Sequence, residues 1–584
     1  MKQFLKIFLA CLLAFFAFGF LMMIFFGSIV AISGSGNETV VEDNSVLLLD
    51  LNESYGEQSQ KNPLASLSGG ESATIGLNDV LKSIKEAKSD AKIKGIYVKL
   101  GINQNGWSTL HDIYEALVDF RSSKKFIYAY GEVADQKSIY VSTACDKTFI
   151  NPQGGAEFKG LAIVGMFFKG TLDKLDIKTE AFHCGQFKGA HEPYSRQDFS
   201  EANRAQLQKI VNDIYAGVLT ALAKKSGKDT ASVASLINNG SVRFPQDALR
   251  EKFIDGVVYG DSVEHLMKSK LALKEKDKIE FITPDDYVDG TPSKNHSKDK
   301  IAVLYAEGAI YDGESNGENE IYSKDMTKEI RRIAQDETIK GVVLRVNSPG
   351  GSALASEVIY HELLELRKKK PIVVSMGNYA ASGGYYIACA ADSLFADANT
   401  LTGSIGVVGI LMNTGEFMKN KLGITTDVVK TSNYADFPNL TRPMSDMERT
   451  WIQSYLDTTY FRFKSLVAKN RKMDMQTVEN LAQGHVYTGK TALELKLIDA
   501  LGNQERAVQS VAKIAKLKEF KIVEYPKPKD KIAELIASIT GKKGEDAKLQ
   551  KLLGDDYVVF KEIQKIRSQH NRIQMVMPWI IQIN

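Results

Sequence analysis

Lys340-Gly341-Val342-Val343-Leu344-Arg345-Val346, followed by Asn347-Ser348-Pro349-Gly350-Gly351-Ser352, is a short apolar run closed by a glycine-rich turn. The run occurs twice: Lys94-Gly95-Ile96-Tyr97-Val98-Lys99-Leu100 stands 246 positions earlier. At the same offset GEVADQKSIYVSTACDKTF from Gly131 aligns with GNYAASGGYYIACAADSLF from Gly377, and at an offset of 244 Gly240-Ser241-Val242 aligns with Gly484-His485-Val486. A match sustained over about 150 residues means one structural unit written twice.

Within each copy, apolar runs alternate with amphipathic stretches. Val46–Leu51, Ile96–Leu100 and Phe126–Tyr130 read as strands, with helices over Leu77–Lys88 and Leu110–Ser122. The second copy repeats them as Ile301–Ala306, Val342–Val346 and Ile372–Met376. Strands alternating with helices predict an α/β fold, a mostly parallel sheet covered by helices in each copy. Long helices are expected over Glu201–Lys225 and Asp446–Lys469. The expected division is 1–36 as a cytoplasmic start and membrane anchor, 37–282 as the first copy, 283–300 as a linker of turn formers and charge, 301–525 as the second copy, and 526–584 as a Lys-rich tail ending in Met575-Val576-Met577-Pro578-Trp579-Ile580-Ile581.

The composition narrows the function classes. The chain has 584 residues, 44% hydrophobic and 25% charged, with 13 Pro and 45 Gly, which excludes a disordered or collagen-like polymer. A net charge of +3 gives no ground to expect nucleic acid as a partner. Four cysteines without metal-ligand spacing argue against a disulfide-built fold, and neither a metal nor a cofactor is expected. Ile7–Ile32 holds no charged residue across 26 positions, more than the roughly 20 that a helix needs to cross a bilayer and longer than a cleaved signal's apolar region. Lys2 and Lys6 precede it while Glu38, Glu42 and Asp43 follow, so the N-terminus is expected in the cytoplasm and the body outside, with lipid as a partner through Ile7–Ile32.

Chemistry is expected where the copies differ. In α/β sheets, ligands gather at the carboxyl ends of strands. Gly350 and Gly351 let backbone N–H groups approach a bound oxygen, and the first copy has no such pair at Gly101–Gly106. Ala380-Ala381-Ser382-Gly383-Gly384 is a strand-to-helix turn of small residues around one Ser, as a nucleophile elbow requires. Gln136 takes the place of Ser382 in the first copy. Leu401-Thr402-Gly403-Ser404-Ile405-Gly406 forms a third such loop, in which Ser404 either orients a reacting group or caps a turn. A serine nucleophile needs a base, and no His or Asp makes a triad signature with Ser382.

Taken together, NSPGG, AASGG and TGSIG in this order closely resemble the signal peptide peptidase A (protease IV) family, in its long two-copy bacterial form, over roughly residues 45–525. The resemblance implies two tandem ClpP/crotonase-like repeats behind one N-terminal transmembrane helix, and a Ser/Lys dyad. Ser382 matches the nucleophile. Phe187-Lys188-Gly189-Ala190-His191-Glu192-Pro193 matches the lysine segment, so Lys188 in the first copy is the implied base, and Ala435 stands at its place in the second. His191 occupies a position usually small or aliphatic, which keeps a histidine-assisted variant open. The resemblance also places Ser404 near the lysine amine. Gly383 with Gly350 or Gly351 would form the oxyanion hole. Burial among apolar groups would lower the amine from about 10.4 to about 7–8, which a general base needs. Further expectations are signal peptides and other hydrophobic peptides as substrates, cleavage on the outer side of the cytoplasmic membrane, and a homo-oligomer, a tetramer by resemblance. Rival readings are a crotonase-like acyl-CoA enzyme, which predicts no dependence on Ser382, and a non-catalytic anchored scaffold.

Overall fold

The computed structural model describes residues 2–34, 40–60, 74–291, 295–315, 320–527 and 574–577. In chain order the first copy supplies β1 (Ser45–Asp50), β2 (Ile93–Lys99), β3 (Phe126–Ala134), β4 (Lys147–Ala156), β5 (Lys178–Cys184), β6 (Gly256–Val257) and β7 (Phe281–Ile282). The second supplies β8 (Lys300–Glu307), β9 (Ile310–Tyr311), β10 (Ile321–Tyr322), β11 (Ile339–Ser348), β12 (Gly350–Ser352), β13 (Ile372–Ala381), β14 (Ser393–Ala396), β15 (Leu401–Gly403), β16 (Val407–Asn413), β17 (Val486–Thr488), β18 (Ala500–Leu501) and β19 (Lys521–Tyr525). The tail adds β20 (Gln574–Val576).

The expected α/β architecture is present in both copies. In the first, six parallel strands run in the order β6-β4-β3-β2-β1-β7. In the second, β11 lies between β8 and β13, with Leu344 opposite Leu304 on one side and Val374 on the other. Helices cover both faces, so these strands read as continuous apolar runs rather than alternating ones: Ile301–Ala306 and Val342–Leu344 are buried throughout. The helix Asp446–Arg471 starts where Ser445 and Glu448 form a reciprocal capping box and stops at Lys472 in the left-handed region.

A third sheet was not foreseen. Its order is β10-β9-β12-β20-β16-β5, so it takes strands from both copies and from the tail. β5 of the first copy pairs antiparallel with the whole of β16 of the second, from Cys184 opposite Val407 to Lys178 opposite Asn413. Inside the expected linker, Pro284–Gly290 is a helix whose cap is the Thr283 hydroxyl and whose Tyr287 is buried against the first copy. Thr-Pro-Asp-Asp is a helix start as much as a turn, because Pro suits the first helical position and Thr the cap.

The apolar N-terminal run lies within one 33-residue helix, α1 (Lys2–Gly34). Many of its side chains lie outside the described residues, and among the described residues no helix is long and apolar enough to cross a membrane. Most of the tail, including Trp579-Ile580-Ile581, lies outside the described residues as well.

The two copies are also locked by charge. Arg345 on β11 donates from Nε to Glu57 Oε2 of the first copy at 2.6 Å, and its Nη1 donates to Ser375 Oγ at 2.9 Å and to the Met376 carbonyl at 3.0 Å. Both side chains are almost fully shielded from water. Nearby, His111 of the first copy pairs with Asp397 of the second. Removing one partner of a buried pair strands the other without solvation. Glu57→Ala is therefore expected to lower stability by about 3–5 kcal/mol, read as a shift in the guanidinium unfolding midpoint.

Candidate active site

β13 ends at Ala381, and the chain turns at Ser382 into the helix Gly383–Ala388. Ser382 takes φ 56°, ψ −114°, a conformation that costs a non-glycine residue about 1–3 kcal/mol and persists only where the surroundings enforce it. They do so here: the Ser382 N–H donates to the Gly403 carbonyl at 2.8 Å, and the Tyr386 N–H donates to the Ser382 carbonyl at 2.8 Å. A Cβ at Gly384 would lie 2.7 Å from the Ser348 carbonyl oxygen, so the small residues of this turn are required for the close approach of β11.

The amine comes from the other copy. Because β5 is hydrogen-bonded to β16, the residues just after Cys184 are carried into the second copy. The Phe187 N–H donates to the Gln483 carbonyl at 2.9 Å, and Gln206 Nε2 donates to the Phe187 carbonyl at 2.9 Å. The same Gln206 accepts the Val486 N–H on Oε1 at 3.1 Å, so one side chain pins both sides of the junction. Gly484, at φ +75°, passes so close that a Cβ would lie 2.6 Å from Lys188 Cβ.

At this junction Lys188 Nζ lies 2.8 Å from Ser382 Oγ, 2.9 Å from Ser404 Oγ and 3.0 Å from the Ser404 carbonyl. Lys188 is 1% exposed, and Ser382 and Ser404 are fully buried. Burial alone pushes the amine well below its ordinary value, because the desolvated ammonium gains no compensating charge. The neutral form fits its surroundings. Two N–H bonds serve the two oxygens of Ser404, and the remaining lone pair faces the Ser382 hydroxyl, which can donate to it.

The glycines anticipated as donors separate. The Gly350 N–H already donates to Ser348 Oγ at 3.2 Å, which leaves Gly351 and Gly383. The Gly351 nitrogen lies 3.1 Å from where a Cβ on Gly383 would stand. His191 is turned to Ser195, with Nδ1 2.8 Å from Oγ, and stacks on His183 at 4.3 Å between centroids. Burial first, then the charges of His183 and Arg196, lower it to about 4, so it is neutral near pH 7. Sequence reasoning missed Gln206 and Gln483. Neither carries a motif, and only the aligned glycines Gly240 and Gly484 marked this neighbourhood.

The sequence profile of peptidase family S49 matches residues 119–274 and 365–518, one stretch in each copy. The chain belongs to peptidase family S49. A Clp protease profile matches residues 292–400, in keeping with the α/β sheet of the second copy. Relatives include Protease 4 of Salmonella typhi, 35% identical over 80% of this chain and 76% of its own length. Protease 4 of Haemophilus influenzae is 30% identical over 92% of this chain and 90% of its own. The chloroplastic serine protease SPPA of Arabidopsis thaliana is 29% identical over 84% of this chain and 74% of its own. This S49 peptidase is a serine protease, which removes the acyl-CoA enzyme and the inert scaffold as readings.

The buried amine has a consequence for stability. Its lowered value means that the unfolded chain binds more protons than the folded one between the folded value and about 10.4, so this group's contribution improves as pH rises through that window. Lys188→Met should therefore unfold at a higher denaturant midpoint than wild type at neutral pH, with a gap that shrinks as pH approaches about 10.

Proposed function

We propose that Ser382 and Lys188 form the catalytic dyad of a membrane-anchored endopeptidase that degrades cleaved signal peptides and other hydrophobic peptides on the outer side of the cytoplasmic membrane. The observation that carries this reading is the 2.8 Å contact between a water-excluded amine, whose charged form burial disfavours, and a hydroxyl held on a strained turn. Lys188 takes the Ser382 proton as Oγ attacks the scissile carbonyl carbon. The N–H groups of Gly383 and Gly351 hold the oxyanion. Lys188 then returns the proton to the leaving amine, the peptide C–N bond breaks, and an acyl-enzyme forms on Ser382. Water, deprotonated by the same amine, releases the acyl group. Ser404 is a positioning residue that fixes the rotamer of the amine through two hydrogen bonds. His191 lies outside the dyad, since its hydrogen-bond partner is Ser195.

Anchoring is supported by α1, whose Phe8, Leu13, Phe15, Phe16, Phe18 and Phe20 face outward without protein cover. A row of exposed aromatic and aliphatic side chains along a stretch that is free of charge from Ile7 on suits lipid. Lys2 and Lys6 at its start and Glu38, Glu42 and Asp43 after it support a body on the outer side.

The homo-oligomer has a structural rationale in the repeat. Within the chain, β5 of the first copy covers β16 of the second. The counterparts, residues 161–168 of the first copy and 424–430 of the second, belong to no strand or helix. Both carry exposed apolar side chains, Val164 and Met166 on one, Ile424 and Val429 on the other. Pairing them between neighbouring chains would repeat the internal contact and close a ring, four chains by resemblance.

Two measurements test these readings. In labelling with a serine-reactive peptide probe, Ser382→Ala and Lys188→Ala should lose reaction by about a thousandfold or more while His191→Ala keeps it. Labelling that persists in Lys188→Ala and vanishes in His191→Ala would overturn the dyad. Val164→Glu should lower the assembled mass in sedimentation velocity, and an unchanged mass argues against the ring contact.

A further inference from the structure

Lys188 stands at the centre of a tight turn. Its backbone takes φ −79°, ψ 66°, and the Gly189 N–H donates to the Phe187 carbonyl at 2.9 Å, the two marks of an inverse γ-turn. This turn aims the amine at Ser382, so whatever holds the Phe187 carbonyl also sets the direction of Lys188. That carbonyl takes a second hydrogen bond, from Gln206 Nε2.

Gln206 is the near end of a chain of buried groups that can run in one direction only. The Val486 N–H can only donate and the Phe187 carbonyl can only accept, so Gln206 must turn Oε1 to the first and Nε2 to the second. Nε2 also donates to Asn203 Oδ1 at 2.7 Å, and Asn203 Nδ2 in turn donates to Glu192 Oε2 at 2.9 Å. The far end must therefore be an acceptor, and Glu192 supplies it. The Ser200 N–H donates to the same Oε2 at 3.2 Å, and the Ser200 hydroxyl donates to Oε1. Glu192 and Gln206 are 2% exposed and Asn203 is fully buried, so a lost partner is not replaced from bulk water.

The placement of this acid matters as much as its presence. Glu192 follows Lys188 by only four positions, yet the amine is shifted by burial with no opposing pull from a carboxyl group. The Glu192 oxygens are taken by Ser200, which caps the helix Glu201–Ser226, and by Asn203 in that helix's first turn. A Cβ on Gly189 would lie 2.6 Å from Asn203 Nδ2, so the γ-turn rests directly on the middle of the chain.

We propose that Glu192 is a positioning residue for Lys188: acting through Asn203 and Gln206, it fixes the turn that aims the amine at Ser382. The proposal rests on the dyad reading above. It gives the site an acid that speeds proton transfer without itself exchanging a proton with Ser382 or Lys188.

The test uses full-length protein in detergent, as wild type, Glu192→Met, Glu192→Gln, Gln206→Met and the double variant of Glu192→Met with Gln206→Met. Glu192→Met keeps the length of the side chain and removes the acceptor. It should lower kcat for a fluorogenic peptide at least about tenfold with KM within about twofold, the mark of a misaimed reacting group. In Glu192→Gln the amide oxygen still accepts from Asn203 and its NH2 can donate to Ser200 Oγ, so kcat should return to within about threefold of wild type. Gln206→Met should lose at least as much as Glu192→Met, and the double variant no more than Gln206→Met, since both act through one turn. Amide exchange at Gly189, whose N–H closes the turn, should rise at least about tenfold in both Met variants. A wild-type kcat in Glu192→Met, a loss confined to KM, or losses that multiply in the double variant would overturn the proposal. So would a Glu192→Gln protein as slow as Glu192→Met. If Glu192→Met does not fold, Asn203→Leu breaks the same chain at its middle with a side chain of similar shape, and unchanged kcat and Gly189 exchange in it would overturn the proposal equally. Hydrolysis that survives Ser382→Ala, with Gly189 exchange raised in the Met variants, would sink the dyad reading and leave the support of the turn by Glu192 standing.

Discussion

A primary amine sealed from water without a counter-charge is the constraint to which the rest of the site answers. In solution Lys188 would be protonated and could take no proton. Its surroundings offer hydrogen-bond acceptors from Ser404 and a hydroxyl from Ser382, and no carboxylate pairs with it among the described residues. A carboxylate at that distance would hold the ammonium and abolish the base. The architecture must therefore bury a charge-bearing side chain and keep it unpaired, the arrangement most proteins avoid.

The duplicated unit meets that requirement by strand exchange. β5 leaves the sheet of its own copy and joins β16 of the other, so the residue four positions beyond it arrives at the second copy's elbow with its backbone already fixed. Gln206, Gln483 and Gly484 close the junction, and the buried pair Glu57–Arg345 also ties the two copies together. On the proposed dyad, each copy holds half of the chemistry, and the interface between copies is itself the site.

The third sheet connects chemistry to peptide recognition. It contains the donor Gly351, the strand that follows Ser404, and the strand that leads to Lys188. A peptide held there by backbone hydrogen bonds would have its carbonyl aligned by the same ladder that positions the donors. This couples binding to orientation without demanding a particular side chain at each position.

The repeat, the parallel α/β pattern, the Ser382 turn and the glycine loops were legible in the sequence, because apolar periodicity and an unusual turn leave a local imprint, whereas Lys188 was marked only by the family resemblance. The separation of Gly350 from Gly351 was not, since it depends on the Ser348 hydroxyl claiming one of two adjacent N–H groups. Nor was the partner of His191, nor the helix inside the expected linker, where a proline and a threonine served as a helix start. β5, β16 and β20 are short, and nothing in a single strand records which distant strand it will pair with. The amino-acid order fixed which groups are present and the local turns that present them. Only the folded chain decided which groups meet and which are dry, because backbone pairing across hundreds of residues and the exclusion of water are properties of the assembled core.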